Sequence, residues 1–376
     1  MLVLVTSSFP IEANGSEAAG SFVADLARRL SAKLRLRVVA PGVEGRREHW
    51  CEAIEVVRYA APERPLSTLK PWRPSDLLWI LRVLRGGLAA TREALADDAV
   101  GVLALWGLPC GEWARRAARA RGVPYDVWLL GSDVWSLGRI PVLRQMLGRV
   151  VRDAAHAYAD GYQLADDARR IARRSVEFLP STRDIASPSR KVTERAPPYR
   201  VLFLGRWHPN KGIDLLLDAL ALLDEADWRR IAEFRINGGG PLEGVVHAKA
   251  DALRSHGRPV MVGGYLDKDQ AAAAIVNADY LVIPSRIESI PVIFSDSVKL
   301  GTPVIATPVG DLPRLLAEAS CGVLATAASA PALRDALRAA LASSPGSFAS
   351  GVRYHAAQFD LASIASRIHA TVHGDG

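Results

Sequence analysis

Short apolar runs alternate with helical patterns of apolar and polar residues along most of the chain. In the first half we interpret four apolar runs as strands: 2–5, 34–41, 100–107 and 125–133. A second series has predicted strands at 200–205, 233–238, 259–264, 279–285 and 302–308. Between them, apolar residues recur at helical spacing, as in 20–30 and 212–226. Apolar strands separated by helices are typical of parallel sheets covered on both faces. The pattern therefore predicts an α/β fold of two doubly wound, Rossmann-like domains facing one another across a cleft.

A polar, Pro-rich stretch at 181–198 interrupts this alternation and is the predicted linker. It separates a predicted N-terminal domain, 1–180, from a predicted C-terminal domain, 199–350. Residues 351–376 have a helical pattern, and we expect them to pack back on the N-terminal domain. With 376 residues, 49% of them hydrophobic and 23% charged, the chain can form two cores and is not expected to be disordered or repetitive.

Cysteine usage and hydropathy indicate the compartment. Cys51, Cys110 and Cys321 are far apart and fit neither a disulfide framework nor a zinc knuckle, which favours a reducing environment. No signal-peptide pattern and no apolar run of about 18 residues is found in the sequence. We expect a cytoplasmic protein, at most peripheral on the inner face of the cytoplasmic membrane.

The formal net charge of +7 comes mostly from the first 180 residues, which have 26 Lys and Arg against 20 Asp and Glu. Such an excess attracts anionic partners. Nucleic acid is not expected, because no basic stripe alternates with aromatic residues and no recognition motif is present. The segment LLWILRVLRGGL (77–88) combines Trp79 and leucines with two arginines. It is compatible with contact to an anionic membrane, or with a helix packed on its own sheet with the arginines pointing outward.

The loop GRWHPNKG, 205–212, follows a predicted strand and precedes a predicted helix. In doubly wound folds ligands bind at the carboxyl ends of strands. Arg206 and Lys211 at a helix entrance, where backbone N–H groups favour negative charge, would form a diphosphate clamp. Two solvated cations are the alternative.

The segment NGGGP, 237–241, follows another predicted strand. Its glycines would let the backbone approach a ligand closely or would make a tight turn. It matches neither the dinucleotide fingerprint nor the P-loop, which disfavours NAD-dependent and ATPase functions.

A third segment, PSRIESIPVIFSDSVKLGTPVIATPVGD (284–311), places Glu288 before a helix predicted to start near Pro291. If most of the interval to Asp296 is helical, the two carboxylates lie about 12 Å apart along the axis. That spacing suits a donor whose sugar and ribose flank a diphosphate. The alternatives are a capping role for Glu288 and a solvent-facing position for Asp296.

Taken in order, GRWHPNKG, GGGP, GGYL (263–266) and the 284–306 segment resemble the donor half of GT-B retaining glycosyltransferases. The most similar group is glycosyltransferase family 4 (glycosyltransferase group 1), over about 200–318. The resemblance implies that Arg206 and Lys211 grip the donor diphosphate and that Glu288 faces the donor sugar. It also implies a ribose contact for Asp296. Further donor-binding residues implied by it are Gly205, Gly238, Gly239, Tyr265, Ser289, Ile290 and Pro291.

The N-terminal half resembles the family through the first loop with Gly15, the segment 106–125 and GSDVW (131–135). This implies that domain 1–180 binds the acceptor and domain 199–350 the donor. It also implies that Gly15 and Ser132 bind the donor and that Asp133 is catalytic, at a strand end facing the sugar. Leu105 and Leu130 stand where the family often has His, so no catalytic histidine is carried over.

The resemblance implies a retaining hexosyltransferase that uses a UDP- or GDP-linked sugar and a glycan or lipid-linked acceptor. Bacterial surface polysaccharide or glycoconjugate synthesis is the expected context. No metal or other cofactor is expected, because no His/Asp/Glu cluster has metal-ligand spacing and no DxD-like pair ends a strand. Two alternatives stay open: a non-catalytic nucleotide-sugar-binding subunit, and a sugar-nucleotide epimerase on the same scaffold.

Overall fold

The computed structural model describes residues 1–11, 21–62, 69–95, 98–185 and 195–373. These form two compact units: unit 1 is Met1–Asp184 with Leu361–Gly376, and unit 2 is Ile185–Asp360. The boundary at 184/185 falls inside the stretch predicted as the linker. Residues 186–194 of that stretch, and Gly15, lie outside the described residues.

The strands, in chain order, are β1 (Leu2–Val5), β2 (Leu36–Gly42), β3 (Arg46–Cys51), β4 (Ile54–Ala60), β5 (Gly101–Leu105), β6 (Tyr125–Leu129), β7 (Ala157–Ala159), β8 (Glu177–Phe178), β9 (Tyr199–Arg206), β10 (Ile231–Gly239), β11 (Val260–Gly263), β12 (Tyr280–Ile283), β13 (Val304–Ala306) and β14 (Gly322–Leu324).

The α-helices are α1 (Ser21–Ser31), α2 (Pro74–Ala94), α3 (Glu112–Arg121), α4 (Ser132–Trp135), α5 (Pro141–Asp153), α6 (Tyr162–Ala172), α7 (Ile213–Ala221), α8 (Glu225–Trp228), α9 (Glu243–Ser255), α10 (Lys268–Asn277), α11 (Val292–Lys299), α12 (Leu312–Glu318), α13 (Ala330–Ala342), α14 (Ala349–Gln358) and α15 (Leu361–His373). None of these helices combines the length and the hydropathy needed to cross a bilayer.

Unit 1 has a sheet with the strand order β3-β4-β2-β1-β5-β6-β7-β8, in which β3 is antiparallel to β4 and the other pairs are parallel. Successive side chains of a strand point to opposite faces. Val3 and Val5 of β1 therefore lie in the core under α2, α3, α5 and α6, whereas Leu2 and Leu4 lie under α1 and α15.

The predicted terminal helix, 351–376, is two helices in the structure. The first, α14, belongs to unit 2, where the Phe294 ring of α11 lies 5.7 Å from His355 and 5.6 Å from Phe359. The second, α15, buries its apolar side in unit 1. Phe359, which is fully buried, ends the first helix.

Unit 2 has a parallel sheet with the order β11-β10-β9-β12-β13-β14. All five strands predicted after residue 199 are found; β14 was not predicted. The chain leaves β9 toward β10 and β11, and then crosses back to β12 on the other side of β9. The loops after β9 and β12 therefore diverge at their carboxyl ends, which is the topological switch point where ligands bind in such sheets.

Candidate active site

The loop after β9 is fixed in a tight path. Arg206 is the last residue of β9, a 3₁₀ turn covers Pro209–Lys211, and Gly212 has φ 68° before α7 begins. A Cβ atom on Gly212 would lie 1.8 Å from the carbonyl oxygen of Pro284. Glycine is required here by both the backbone conformation and the lack of space. The loop after β9 thus lies directly on the chain that leaves β12.

Two predicted site residues meet across this contact. The ammonium group of Lys211 forms an ion pair with the Glu288 carboxylate, with 37% of the lysine side chain exposed. The helix after Glu288 starts at Val292 with Pro291 as its N-cap, and no side chain caps it. The capping role considered for Glu288 is therefore wrong. Arg206, by contrast, is exposed and makes no ion pair with any described residue.

Arg286, which the sequence analysis did not identify, connects the loop after β12 to the loop after β9. Its guanidinium donates to both carboxylate oxygens of Asp214, at 2.8 Å each, and to the carbonyl of Pro209 at 2.7 Å. Its backbone N–H donates to the carbonyl of Asn210 at 2.8 Å. Burial opposes ionisation of Asp214, but the hydrogen bonds and charge of Arg286 outweigh it and lower the pKa of this carboxyl. Bidentate pairs of this kind fix geometry as well as charge.

Asp296 lies inside unit 2. It is 1% exposed, and its Oδ1 is 4.0 Å from Nζ of Lys299. The solvent-facing position considered for this residue is therefore wrong. Since α11 begins at Val292, three of the seven residues between Glu288 and Asp296 precede the helix.

The glycine segment ends β10 beside β9. Gly238 pairs with Gly205, and a Cβ on Gly238 (φ 155°) would lie 2.0 Å from the Gly205 carbonyl oxygen. The hydroxyl of Tyr265, an exposed residue, donates to the carbonyl of Gly239 at 2.7 Å. The structure therefore brings these four predicted donor-binding residues to one end of the sheet.

Two buried polar atoms adjoin this glycine segment, and the sequence reading missed both. The indole nitrogen of Trp207 and the amide oxygen of Asn237 have no hydrogen-bond partner among the described residues. The hydroxyl of Ser289, after β12, also has no hydrogen-bond partner among the described residues. Buried polar groups in proteins are normally satisfied. Such atoms beside a predicted ligand site are what a bound polar molecule would satisfy.

In unit 1, Asp133 is buried at the start of α4. Its carboxylate accepts the backbone N–H groups of Gly107 at 2.6 Å, and of Gly131 and Val134 at 3.1 Å each. Burial raises the pKa of this carboxyl, and those N–H groups oppose the rise. The contacts join the end of β5 to the end of β6, which is the geometry of a group that holds backbone in place. Ser132, next to it, is exposed.

Replacing Asp133 by asparagine is expected to destabilise unit 1 by about 2 kcal/mol, because an amide nitrogen would then face a backbone N–H. For a unit of this size the melting temperature should fall by roughly 4–8 °C. Differential scanning calorimetry with and without nucleotide measures both the melting temperature and the stabilisation by nucleotide. An unchanged melting temperature with lost donor affinity would instead show that Asp133 touches the donor.

Three comparisons relate the chain to known proteins. Residues 198–343 match the family model for glycosyl transferases group 1. A D-inositol 3-phosphate glycosyltransferase of Corynebacterium aurimucosum is 30% identical over 308 residues, which are 67% of this chain and 72% of that protein. The same-named protein of Jonesia denitrificans is 30% identical over 55% of this chain. The chain spans only about half of the length of two curated relatives: 48% of the Jonesia denitrificans protein and 50% of a second one.

The fold has a solved counterpart in Anabaena Alr3699/HepE in complex with UDP. It superposes with a TM-score of 0.67 at 17% identity, covering 99% of both chains. The Corynebacterium aurimucosum relative that is 30% identical is covered over more than two thirds of its length. The order of the strands and the loops at the switch point lead to the same assignment. The chain belongs to the glycosyltransferase group 1 family and has the GT-B fold of two Rossmann-like domains.

Proposed function

We propose that the protein is a retaining hexosyltransferase. It moves a hexose from a UDP- or GDP-linked sugar to a glycan or lipid-linked acceptor, in the synthesis of bacterial surface polysaccharide or glycoconjugates, on the cytoplasmic side of the membrane. The observation that carries the proposal is the placement of Arg206, Lys211 and Glu288 at the switch point of the unit 2 sheet. The Anabaena protein of the same fold was solved with UDP and with UDP-glucose, which supports a nucleotide-sugar donor.

Donor binding would exchange the partner of Lys211. In the structure Glu288 neutralises Lys211, while Arg206 has no counter-ion among the described residues. A diphosphate brings two anionic groups and would draw both cations onto its oxygens. Glu288 is then released to accept hydrogen bonds from sugar hydroxyls. The uncapped start of α11, after Ser289, Ile290 and Pro291, adds backbone N–H groups that favour phosphate.

Ribose and base would lie on either side of the diphosphate. We assign the ribose hydroxyls to Asp296, whose Oδ1 lies 4.0 Å from Nζ of Lys299. We place the nucleotide beside Gly205, Gly238 and Gly239, next to the exposed ring of Tyr265.

Catalysis then follows from leaving-group stabilisation. The bond between the anomeric carbon and the β-phosphate oxygen breaks, and negative charge grows where Arg206 and Lys211 are already placed. The acceptor oxygen bonds to the anomeric carbon on the same face, and its proton passes to the departing phosphate. Because the two cations can carry the developing charge, no metal ion enters the proposal. Asp133 has a positioning role in it.

Thermal shift with UDP, GDP, ADP and their hexose conjugates tests the proposal, with Glu288→Gln beside the wild type. One base series is expected to stabilise the protein, by about 2.7 kcal/mol at a hundred times Kd. The extra increment from the sugar should shrink in Glu288→Gln because the neutral amide oxygen is a weaker hydroxyl acceptor than the carboxylate. Glu225→Gln, which breaks another ion pair of unit 2 with Arg258, is the control and should keep that increment.

Absence of any shift at millimolar nucleotide would refute the donor site. A shift without transfer to any acceptor would favour a nucleotide-sugar-binding subunit. Conversion of the donor sugar without acceptor would indicate an epimerase.

A further inference from the structure

A groove runs between α5 and α6 on the surface of unit 1, and it contains none of the predicted site residues. The α5–α6 groove has a volume of about 650 Å³, and the residues that line it include Arg144, Gln145, Arg149, Arg152 and Ile171. The two helices approach closely at Gly148, where a Cβ atom would lie 3.2 Å from the carbonyl oxygen of Ile171. Concave sites of about 300–1,000 Å³ are typical of ligand pockets.

The arginines of the α5–α6 groove are available to bind an anion. Arg144, Arg149 and Arg152 are exposed, and they form no ion pair with any described residue. None of the described residues along the groove is acidic. The carboxylates of the two helices pair elsewhere: Asp153 with Arg115, Asp166 with Arg169 and Asp167 with Arg170. The groove therefore presents positive charge and attracts anions.

The spacing of the three arginines fits a ligand with more than one anionic group. Side chains of a helix lean toward its N-terminus, and a guanidinium nitrogen of Arg152 accordingly lies 3.6 Å from the Cβ position of Gly148. With the same lean, the guanidinium of Arg149 follows about 4.5 Å further along the axis, and that of Arg144 about 7.5 Å beyond it. Arg149 and Arg152 can thus share one carboxylate or phosphate while Arg144 binds another, each through two parallel hydrogen bonds.

The α5–α6 groove starts at the edge of unit 1 where ligands are expected. α5 connects the parallel strands β6 and β7, so its first residues lie at the carboxyl edge of the sheet. Pro141, the first residue of α5, lines the groove, and Arg152 lies near the other end of the helix. Ligands of doubly wound folds bind at the carboxyl edge. The groove therefore leads from the ligand-binding edge along the surface of unit 1.

We propose that the α5–α6 groove is a subsite for an acidic glycan, a chain of sugars that carries carboxylate or phosphate groups. The inference rests on the proposed function, in which the acceptor is a glycan, and adds that this acceptor is anionic. Its reacting end lies at the carboxyl edge, and the sugars behind that end extend along α5. There the arginines bind the anionic groups, and the amide of Gln145 binds hydroxyls.

The shape and lining of the groove disfavour other polyanions. A single flexible chain fits between two helices, whereas the surface of a bilayer is too flat to enter a groove. Single-stranded nucleic acid is bound through bases stacked on aromatic rings, and none of the described residues along the groove is aromatic.

Isothermal titration calorimetry of the full chain with a galacturonic acid tetramer and a hyaluronan tetramer tests the inference without donor or turnover. We expect binding that weakens as salt rises, and no binding of the uncharged maltotetraose. Arg149→Gln with Arg152→Gln should lower the affinity for the acidic tetramers by about tenfold or more. Arg169→Gln with Arg170→Gln is the matched control: it removes two exposed arginines of the neighbouring helix and should bind like wild type.

Nucleotide thermal shift on the same variants separates this inference from the proposed function. The shift reports on the donor site in unit 2 and should be unchanged in all of them. Binding of the acidic tetramers without any nucleotide shift would refute the proposed function and leave the groove as a glycan site. A nucleotide shift without binding of either acidic tetramer would refute the groove and leave the proposed function.

Three further results would overturn the inference. One is an equal loss of affinity in the two double variants, because binding would then depend only on net charge. Another is binding of maltotetraose as strong as that of the acidic tetramers. The third is binding of polyphosphate, single-stranded DNA or phosphatidylglycerol vesicles that depends on Arg149 and Arg152 while neither acidic tetramer binds, since the ligand is then another polyanion.

Discussion

Alanine at both Arg206 and Lys211 is expected to lower kcat/KM by about 10³–10⁵. Removing one preorganised donor to a developing charge typically costs 10²–10³ in rate, and two groups that act on one phosphate do not add fully. Lys211 is already paired with Glu288, so its loss also leaves that carboxylate without its cation. Steady-state kinetics with the donor identified by thermal shift measure the effect, which should fall mainly on kcat.

The matched control is Lys249→Ala with Arg254→Ala on α9. Lys249 pairs with Asp218 and has the same 37% side-chain exposure as Lys211, and Arg254 pairs with Asp251. This control should keep wild-type activity. Full activity of the Arg206 and Lys211 double variant would disprove leaving-group stabilisation by these cations.

Arg286→Lys is expected to lower kcat/KM by about 10–100-fold, although Arg286 is a positioning residue and not part of the proposed clamp. An ammonium cannot span both oxygens of Asp214 and the Pro209 carbonyl together, so the loop that holds Lys211 loses its fixed path. A displacement of about 1 Å in a reacting group can cost a hundredfold. Exchange of the pair, Arg286→Asp with Asp214→Arg, should restore part of the kcat/KM that is lost when Arg286→Asp is made alone.

Two further readouts separate positioning from a general loss of stability. Affinity for the nucleoside diphosphate should fall in Arg286→Lys, whereas affinity for the nucleoside without phosphate should not. Arg258→Lys is the matched control, because Arg258 also forms a bidentate pair, with Glu225, in unit 2. Equal loss in both lysine variants, or none in Arg286→Lys, would contradict the assignment.

The ion pair of Arg286 and Asp214 also makes the folding stability depend on pH. The pKa of Asp214 is lowered in the folded state, so its contribution to the free energy of unfolding is complete above its unfolded pKa near 3.9. That contribution is lost as the pH falls through the folded pKa.

Much of the architecture could be predicted because the central strands are buried on both faces. The strands β1, β5 and β12 are wholly buried, and such strands appear in a sequence as continuous apolar runs. The β3–β4 hairpin could not be found in this way. Arg58 lies in the middle of β4 and is buried only because Glu48 of β3 and the carbonyls of Pro10 and Pro41 accept its hydrogen bonds. A charged residue in a strand gives no apolar signal.

A site residue could be predicted where it lies in a loop that directly follows a strand. A contact between two side chains that are far apart in the sequence could not be predicted. Lys211 and Glu288 each follow a strand of a parallel sheet, so their common edge could be expected. The bond between Arg286 and Asp214 joins residues 72 positions apart, which no spacing rule reveals. For Asp133 and Asp296 the sequence predicted a carboxylate near the site. Their burial depends on side-chain direction within short helices, which only the packed structure determines.

The ion pair between Lys211 and Glu288 has a consequence for ligand discrimination. Any molecule that occupies the loop must compete with an internal carboxylate for the lysine. A nucleoside monophosphate offers a single anionic group, which Arg206 can satisfy without disturbing the pair, so it gains little from Lys211. In the proposed function, a nucleotide sugar replaces the carboxylate with a phosphate and at the same time gives Glu288 new hydroxyl partners. After transfer the sugar is gone, Glu288 again lacks these partners, and re-formation of the pair would help to expel the spent nucleotide. The internal carboxylate would therefore compete with each ligand for Lys211, and the nucleotide sugar would compensate for its displacement better than the spent nucleotide does.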